Sequence, residues 1–330
     1  MPSPKTLSFN SWLFCFSLFL TGLTSLLIFA GGLVTSHEAG LAVPDWPLSY
    51  GQLMPPMVGN VFWEHGHRMI AGTVGMLTLL LAIWTQFKEK RTWMKRLAWI
   101  AFGAVVLQAL LGGLTVLLML PPPVSIFHAC LAQTFFCILI SLAYFLSPAY
   151  FSLSSPNVFV GDPITNENVR QNSRRIRQSS RGGDSRLKHS GMTEKNEFAS
   201  EAMKKIHRLA RLTTVFIFIQ LIFGATVRHT AHAVELHIAG AVLVVIHVIL
   251  TVARVIYGEA QDKLLRRAAL ALGTLTLVQI FLGIGAFAFT RMIERGYAPS
   301  SAEVLFTALH QTAGALILGS AVFTTLRSRS

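Results

Sequence analysis

The chain has 330 residues, of which 52% are hydrophobic and only 13% are charged. This composition is too apolar for a soluble globular protein and is typical of an integral membrane protein. The formal net charge of +13 does not indicate nucleic-acid binding, because the basic residues lie in short segments between apolar runs and in one polar stretch.

Eight apolar runs are long enough to cross a bilayer, which takes about 20 helical residues. The first run has the length of a signal peptide, but no small-residue cleavage site follows it, so we expect it to be retained as a helix. The sequence thus predicts an all-α integral membrane protein with eight transmembrane helices. They are expected at 12–34, 64–86, 96–119, 125–147, 207–228, 234–257, 267–289 and 302–325.

The basic residues predict how these spans are oriented. With the N-terminus in the cytoplasm, all but four of the 28 Lys and Arg residues fall on the cytoplasmic side. The exceptions are Arg68, Arg228, Arg291 and Arg295. We therefore expect a multi-pass protein of the cell (inner) membrane, with cytoplasmic N- and C-termini and the lipid bilayer as its surroundings.

A polar, basic stretch at 148–206 separates the first four spans from the last four. It contains three prolines and the run RRIRQSSRGGDSRLKHS, which predicts a flexible cytoplasmic linker. The expected parts are an N-terminal four-helix half at 1–147, this linker, and a C-terminal four-helix half at 207–330. We expect two tandem four-helix bundles with a pseudo-two-fold relation.

The two halves share a repeated pattern. Three odd-numbered spans carry Gln-x-x-x-Gly, and the first span has Leu27 and Gly31 in the corresponding places. A glycine permits close helix packing, and a glutamine offers a hydrogen bond between helices. Each even-numbered span has a histidine near its start. The glutamines are Gln108, Gln220 and Gln279, the glycines are Gly112, Gly224 and Gly283, and the histidines are His67, His128, His237 and His310.

Four histidines in register predict two haem sites, one in each half. An imidazole at the edge of the hydrocarbon is costly unless it is bound, and two histidines on facing helices provide the axial bonds of a haem iron. A single intramembrane histidine is more often structural, but four at one depth with repeat symmetry are hard to assign to chance. The remaining histidines are expected to be solvated or structural: His37, His65, His229 and His232 in outer loops, His189 and His207 at the linker, and His247 in the sixth span.

The first outer loop, at 35–63, is the richest polar stretch between spans. Its four prolines predict a shaped lid, with Trp46 and Tyr50 as interface aromatics. Glu64 precedes His67 by three positions, so on a helix the carboxylate lies beside whatever the imidazole binds and is placed to move protons. A helix-terminal acid stabilised by the helix dipole is an equally good interpretation.

Two arginines lie at the same edge of the predicted membrane. Arg68 directly follows His67, and Arg228 ends the fifth span. If haem is bound, Arg68 suits the propionates in the first half and Arg228 suits those in the second, because guanidinium groups pair well with carboxylates. Without haem, both are ordinary interface arginines.

The segments GGLVTSHEAGLAVPDWPLSYGQLMPP and WEHGHRMIAG resemble the first outer loop and second helix of the haem A synthase family. The eight spans, the duplication and the histidine of each even span fit the same family. The resemblance implies that the C8 methyl of haem O is oxidised to the formyl group of haem A by successive hydroxylation, for supply to terminal oxidases. It implies that electrons pass through haem b to an acceptor that the sequence does not identify, and that haem O synthase is a possible partner.

The resemblance also implies roles for individual residues. His67 and His128 flank the substrate haem, His237 and His310 ligate the iron of a haem b, and Glu64 is the acid needed for turnover. Arg68 would bind the substrate haem and Arg228 the propionates of the second haem.

The chain departs from this family in one visible respect. Many members carry a cysteine pair in the first outer loop, where this chain has Val43 and Ser49. The loop is therefore expected to be held by its prolines and by packing. The three cysteines that are present, Cys15, Cys130 and Cys137, all lie in predicted spans, and no disulfide is expected.

Three alternative functions stay open at this point. A bis-His di-haem cytochrome b in electron transfer accounts for the histidines but leaves Glu64 and the outer loop unexplained. A helical membrane transporter is disfavoured, because two four-helix halves share one orientation and the polar residues lie at one edge of the membrane, away from the midplane. A copper-handling protein is supported only by Met54, Met57 and scattered loop histidines.

Overall fold

The computed structural model describes residues 9–154, 185–258, 262–293 and 298–329. Eight long helices dominate these ranges, and each is long and apolar enough to cross a membrane, so the predicted all-α, eight-span architecture is confirmed. No strand occurs within the described ranges. The helices are α1 (Ser11–Ser36), α2 (Asn60–Lys88), α3 (Thr92–Leu117), α4 (Pro122–Leu146), α5 (Ser185–Thr230), α6 (Val234–Tyr257), α7 (Lys263–Phe287) and α8 (Ser301–Ser328).

Local sequence determines where several helices begin. The side chains of Asn10, Asp262 and Ser300 cap α1, α7 and α8, each by accepting hydrogen bonds from backbone N–H groups of the first turn. Helix α4 begins with Pro122, whose missing N–H group costs nothing in the first turn of a helix. A π-helical turn at Ala288–Met292 extends α7.

Helix α5 begins at Ser185, well before the predicted boundary at 207. The end of the predicted linker is therefore helical and packed. Ile206 is buried against Val255 of α6 and Leu265 of α7, and the Nδ1 atom of His207 lies 3.1 Å from the carbonyl oxygen of Thr325. The polar composition did not predict this helix, because the apolar residues that anchor the segment are few and widely spaced. The predicted linker residues 155–184 lie outside the described residues.

The eight helices group by their contacts into two sets of four. Helices α1 to α4 contact one another in a closed ring, as do α5 to α8, and each ring encloses its own apolar cluster. The rings meet where α1 packs on α8 and where α4 packs on α5 and α8. A pair of tandem bundles would require this pattern, while the pseudo-two-fold relation stays a prediction.

Helix α8 is the most deeply packed of the eight. Over its most apolar window, 56% of the residues are buried, against at most 44% in any other spanning helix. A β-carbon on Gly32 of α1 would lie 3.4 Å from the Cα atom of Ala308, which shows how closely α1 approaches α8. Because α8 carries His310, this packing fixes one of the candidate site residues between the two halves.

Buried arginines tie the chain together at the end of the bundle opposite the histidines. Arg327 of α8 forms an ion pair of 2.6 Å with Asp262 and donates to the carbonyl oxygen of Ala149, in the short helix Pro148–Ser154. Arg91 pairs with Glu89 at 2.7 Å and donates to the carbonyl oxygen of Phe145. These contacts join the loop after α2, the end of α4 and the end of α8, so the two halves are braced away from the site.

Candidate functional site

All four histidines of the even helices pack on the glycine of the preceding odd helix. A β-carbon built on the glycine would lie between 2.9 and 3.1 Å from the Cε1 atom of the imidazole in every case, and Nδ1 is the next nearest atom. A side chain at these positions would push the ring away. The repeat in the sequence is therefore a repeat in three dimensions. The pairs are Gly31 with His67, Gly112 with His128, Gly224 with His237, and Gly283 with His310.

The second half brings its two histidines close together, with their rings nearly perpendicular. The ring centroids of His237 and His310 lie 6.2 Å apart, with the ring planes at 79°. Two metal–nitrogen bonds of about 2 Å each, plus the depth of the two rings, require a centroid separation of about 6 Å. The pair therefore fits the axial positions of one haem iron, although its assignment as an iron-ligand pair stays a prediction.

The first half offers a similar pair at the same end of the bundle. His67 and His128 lie near the starts of α2 and α4 and within electrostatic reach of each other. The Nδ1 atoms of His67, His128 and His310 are buried and have no hydrogen-bond partner in the structure. Buried polar atoms are rarely left in this state in a complete site. The donor sets in both halves thus fit haem ligation.

Three glutamines contact these histidines from the preceding helix. Gln108 approaches the Nε2 atom of His128 to 3.3 Å and donates to its carbonyl oxygen at 3.0 Å. Gln220 approaches the other ring nitrogen of His237, Nδ1, to 2.9 Å and donates to the carbonyl oxygen of His237 at 2.7 Å. Gln279 lies 3.4 Å from the Nε2 atom of His310. The interhelical hydrogen bonds expected from the Gln-x-x-x-Gly pattern are present, and His67 has no counterpart.

Glu64 is buried under the first outer loop, one turn before His67. Its side chain is only 4% exposed, and one carboxylate oxygen accepts a hydrogen bond of 2.7 Å from the backbone N–H of Val43. The other oxygen accepts one of 2.5 Å from the guanidinium group of Arg68. The carboxylate therefore holds the loop at the edge of the first histidine pair, and its part in proton transfer stays a prediction.

Arg68 is the centre of the loop's hydrogen-bond network. Besides its ion pair with Glu64, its guanidinium group donates to the carbonyl oxygens of Val43, Asp45 and Leu48, at 3.1, 2.7 and 2.9 Å. The loop therefore wraps the arginine with backbone acceptors. The proposed contact of Arg68 with haem stays a prediction. In the structure, Arg68 holds the loop in its conformation through these hydrogen bonds.

Asp45 closes a tight turn within the same loop. Its carboxylate accepts hydrogen bonds from the backbone N–H groups of Tyr50 and Gly51, at 2.7 and 2.8 Å. The N–H groups of Gly51 and Tyr50 hold the pKa of this carboxyl below its ordinary value of 3.8. The hydroxyl of Tyr50 donates to the carbonyl oxygen of Ala42, which links the turn to the first part of the loop.

The two loop positions for which the resemblance implies a cysteine pair are occupied by buried residues that anchor the loop. Val43 is fully buried and donates to Glu64, as described above. Ser49 is 1% exposed, and its hydroxyl lies 2.8 Å from the Nδ1 atom of His65. His65 was expected in a solvated outer loop, but it lies inside α2 and is buried, so that prediction is wrong. Hydrogen bonds to side chains of α2 therefore hold this loop.

Aromatic contacts complete the loop. Trp46 lies so close to α3 that a β-carbon on Gly113 would be 2.6 Å from its indole ring, so Trp46 packs on a helix where the sequence suggested an interface anchor. His37 stacks on Trp63 with ring centroids 4.2 Å apart, and burial lowers the pKa of His37. The loop is thus a folded lid on α2 and α3.

Arg228 connects the halves at the same end. It donates to the hydroxyl of Ser36 at 2.6 Å, and Ser36 in turn pairs with Thr307 of α8 at 2.8 Å. Arg228 also lies within electrostatic reach of His310. Its predicted role toward haem propionates stays a prediction.

Neither a disulfide nor a polydentate metal cluster is found in the described part of the chain. Cys15, Cys130 and Cys137 are free, as predicted. Within the described ranges, no group of three or more His, Cys, Asp or Glu side chains could hold a metal ion. A dedicated copper site is therefore not supported there, whereas a haem iron needs only two axial residues.

Comparison with known proteins gives matches for part of the chain. Residues 57–158 match the family described as cytochrome oxidase assembly protein. The heme A synthase of Exiguobacterium sibiricum is 35% identical over 108 residues, which are 31% of this chain and 36% of that protein. The heme A synthase of an Exiguobacterium species is 38% identical over 29% of this chain and 33% of that protein.

A longer match reaches about half of each chain. The heme A synthase of Lysinibacillus sphaericus is 27% identical over 47% of this chain and 52% of that protein. The matches to the two Exiguobacterium proteins span only about a third of the length of those proteins. The family segment contains Glu64, His67, Arg68 and His128, and it ends before His237. These matches confirm the resemblance to the haem A synthase family, and within this chain residues 57–158 match the family described as cytochrome oxidase assembly protein.

Proposed function

We propose that this chain is a haem A synthase that oxidises the C8 methyl of haem O to a formyl group. The observation that carries the proposal is the repeated glycine–histidine contact, which places four imidazoles at one end of an eight-helix membrane protein. The family segment supports the substrate, because it contains the first histidine pair together with Glu64 and Arg68.

The two halves are assigned different tasks. His67 and His128 hold the substrate haem, and His237 and His310 hold a haem b. A haem bound by two histidines supplies one-electron redox chemistry. The first outer loop folds onto α2 beside His67, since the backbones of Val43, Asp45 and Leu48 are hydrogen-bonded to Glu64 and Arg68. This folded loop is the reason for placing the chemistry in the first half.

Glu64 is assigned the role of accepting the protons that are released as the methyl group is oxidised. Its carboxylate lies at the buried edge of the lid, where water is largely excluded and a fixed acceptor is useful. Arg68 keeps the carboxylate in place and compensates its charge. Arg228 is assigned to the propionates of the second haem, beside His310.

The wider setting follows from the family and the charge pattern. We propose a location in the cell (inner) membrane with both termini in the cytoplasm, haem O synthase as the donor of substrate, and a terminal oxidase as the destination of haem A. We also propose that a separate redox partner accepts the electrons.

Pigment analysis tests the proposal. The chain is purified from cells with and without a supply of haem O, and the extracted haems are separated and identified by mass spectrometry. Haem A or haem O beside haem B supports a synthase. Haem B alone supports a bis-His electron-transfer cytochrome, and a colourless protein contradicts both functions.

Variants then separate the assigned roles. His310→Ala is expected to remove the stable haem b spectrum. His247→Ala is expected to leave it in place, because His247 is a mid-helix histidine whose ring lies 4.4 Å from that of Phe216. Glu64→Ala is expected to retain haem and to stop the formation of haem A. Full activity of the Glu64 variant would exclude this residue from proton transfer.

A further inference from the structure

A cavity opens between α5 and α6, away from both pairs of histidines. Its volume is about 710 Å³, and small-ligand sites have volumes of about 300–1,000 Å³. Arg254 lies on its rim, 17 residues after His237 in the same helix, which corresponds to about 25 Å along the helix axis. The cavity therefore lies at the opposite membrane face from the candidate haem sites, and the charge pattern of the sequence predicts that this face is cytoplasmic.

The wall of the cavity is apolar and its rim is basic. Leu209 of α5 lies opposite Leu250 and Ala253 of α6, and each helix adds one cation, Lys205 from α5 and Arg254 from α6. Helix α5 leaves this membrane face and α6 returns to it, so both cations lie nearer the membrane surface than the leucines. The lining thus changes from basic to apolar with depth, as a phospholipid changes from its phosphate group to its acyl chains.

Both cations are accessible to an anion. Arg254 is exposed, and its guanidinium group has no hydrogen-bond or ion-pair partner among the described residues. Lys205 is 58% exposed and pairs at 3.0 Å with Glu201, which is the one acid among the described residues of the lining and is itself 64% exposed. An ion pair this exposed is weak, so Lys205 can exchange its partner. Tyr257 beside them is 89% exposed, as is typical of aromatic side chains at a membrane interface.

The two helices that form the cavity are loosely packed within the protein. Over their most apolar windows, only 17% of the residues of α5 and of α6 are buried, against 56% in α8. Most of their apolar surface is therefore left to the hydrocarbon of the bilayer. A groove between two such helices has an apolar wall that acyl chains can cover.

We propose that this cavity binds an anionic phospholipid of the cytoplasmic leaflet. The phosphate lies between Lys205 and Arg254, and an acyl chain lies against Leu209 and Leu250. Basic pockets between membrane helices on the cytoplasmic side suit such headgroups because they combine positive charge with an apolar wall. The bound lipid joins α5 to α6 where contacts within the protein are few. This inference does not depend on haem binding or on the proposed reaction.

Lipid binding to the purified full chain, measured by native mass spectrometry, tests the inference. The protein in detergent is titrated with phosphatidylglycerol and, separately, with phosphatidylcholine that carries the same acyl chains. Phosphatidylglycerol is expected to bind more tightly. The double variant Lys205→Gln with Arg254→Gln is expected to weaken its binding by about 30-fold, because each basic residue near a membrane surface contributes a factor of about five.

A second double variant is the matched control for charge. Lys263→Gln with Arg266→Gln removes the same two residue types from exposed positions at the start of α7, at the same membrane face and outside the cavity. Its affinity for phosphatidylglycerol is expected to equal that of the parent. Phosphatidylglycerol is also expected to raise the thermal unfolding midpoint of the parent and of this control, but not that of the Lys205 and Arg254 variant.

Two further measurements separate a lipid site from a phosphate site. Ala253→Leu fills part of the apolar wall without changing the charge, and it is expected to weaken the binding of phosphatidylglycerol by about tenfold. Inorganic phosphate is expected not to displace the lipid, because it has no acyl chain to cover the wall.

The inference is overturned if phosphatidylcholine binds as tightly as phosphatidylglycerol, or if the control variant on α7 loses as much affinity as the cavity variant. It is also overturned if Ala253→Leu binds like the parent, or if inorganic phosphate displaces the lipid. A chain that binds phosphatidylglycerol in this way but makes no haem A contradicts the proposed function alone. A chain that makes haem A but does not distinguish the two lipids contradicts this inference alone.

Discussion

Replacing Arg68 with alanine is expected to release the first outer loop. The guanidinium group makes one ion pair with Glu64 and three hydrogen bonds to loop carbonyl oxygens. Removing one partner of a buried ion pair costs about 3–5 kcal/mol. Arg68 is 15% exposed, so we take the lower end, about 3 kcal/mol. At 1.4 kcal/mol per factor of ten, the loop would then open about 100-fold more often.

Hydrogen exchange in lipid nanodiscs measures this opening. The amides of Val43, Tyr50 and Gly51 report it, because each donates to a side chain of the network. The double variant Arg68→Ala with Glu64→Gln is expected to regain part of the protection, since it removes the uncompensated charge and keeps an oxygen that accepts from Val43.

Arg291→Ala is the matched control, because Arg291 is exposed and makes a single hydrogen bond to the carbonyl oxygen of Ala231. Its exchange is expected to stay within experimental error of the parent. If Arg68→Ala does not accelerate exchange of the loop amides, or if Arg291→Ala accelerates it equally, the network does not hold the loop. The measurement is made without haem, so a role of Arg68 toward propionates does not affect it.

Two further predictions concern the glycine contacts and the pH dependence of the loop. Gly112→Ala places a β-carbon 3.0 Å from the Cε1 atom of His128. It is expected to lower the free energy of unfolding by about 1–3 kcal/mol and to shift the Soret band. Gly103→Ala is the control in thermal unfolding and absorbance, because it lies on the same helix and its β-carbon would have no neighbour within 4 Å. The turn closed by Asp45 is expected to keep constant exchange protection factors from pH 7 down to about pH 4 and to lose protection only below that. The sign follows because a lowered folded pKa adds stability above the unfolded value, which is lost as the pH falls through the folded pKa. Asp45→Asn should abolish this dependence.

The sequence was sufficient for features that depend on periodicity and side-chain size. Hydropathy alone located eight helices, because a spanning segment must be both long and apolar. Close packing of helices at the repeated glycines was also predictable, since a glycine one turn after a glutamine indicates two helices in contact, but the histidine as the packing partner was seen only in the structure. Contacts of this kind are made between residue types that recur at fixed spacing.

The loop network was not accessible, because most of its acceptors are backbone carbonyl groups. Nothing in the identities of Val43, Asp45 or Leu48 shows that their carbonyl oxygens converge on one guanidinium group. Sequence analysis predicted that Arg68 contacts a haem and missed its hydrogen bonds to the chain itself. The burial of His65 was missed for the same reason, since its partner Ser49 is distant in sequence and unremarkable in type.

The position of Glu64 constrains how its variants are interpreted. Because this carboxylate binds the amide of Val43 as well as Arg68, Glu64→Ala removes a proton carrier and a loop anchor together. A loss of activity in that variant is therefore ambiguous. Glu64→Gln keeps an oxygen that accepts from Val43 and removes only the charge. If Glu64→Gln retains loop protection but makes no haem A, the carboxylate acts on protons. If it is active, the loop anchor is the essential part, and the defect of the alanine variant should be reproduced by Arg68→Ala.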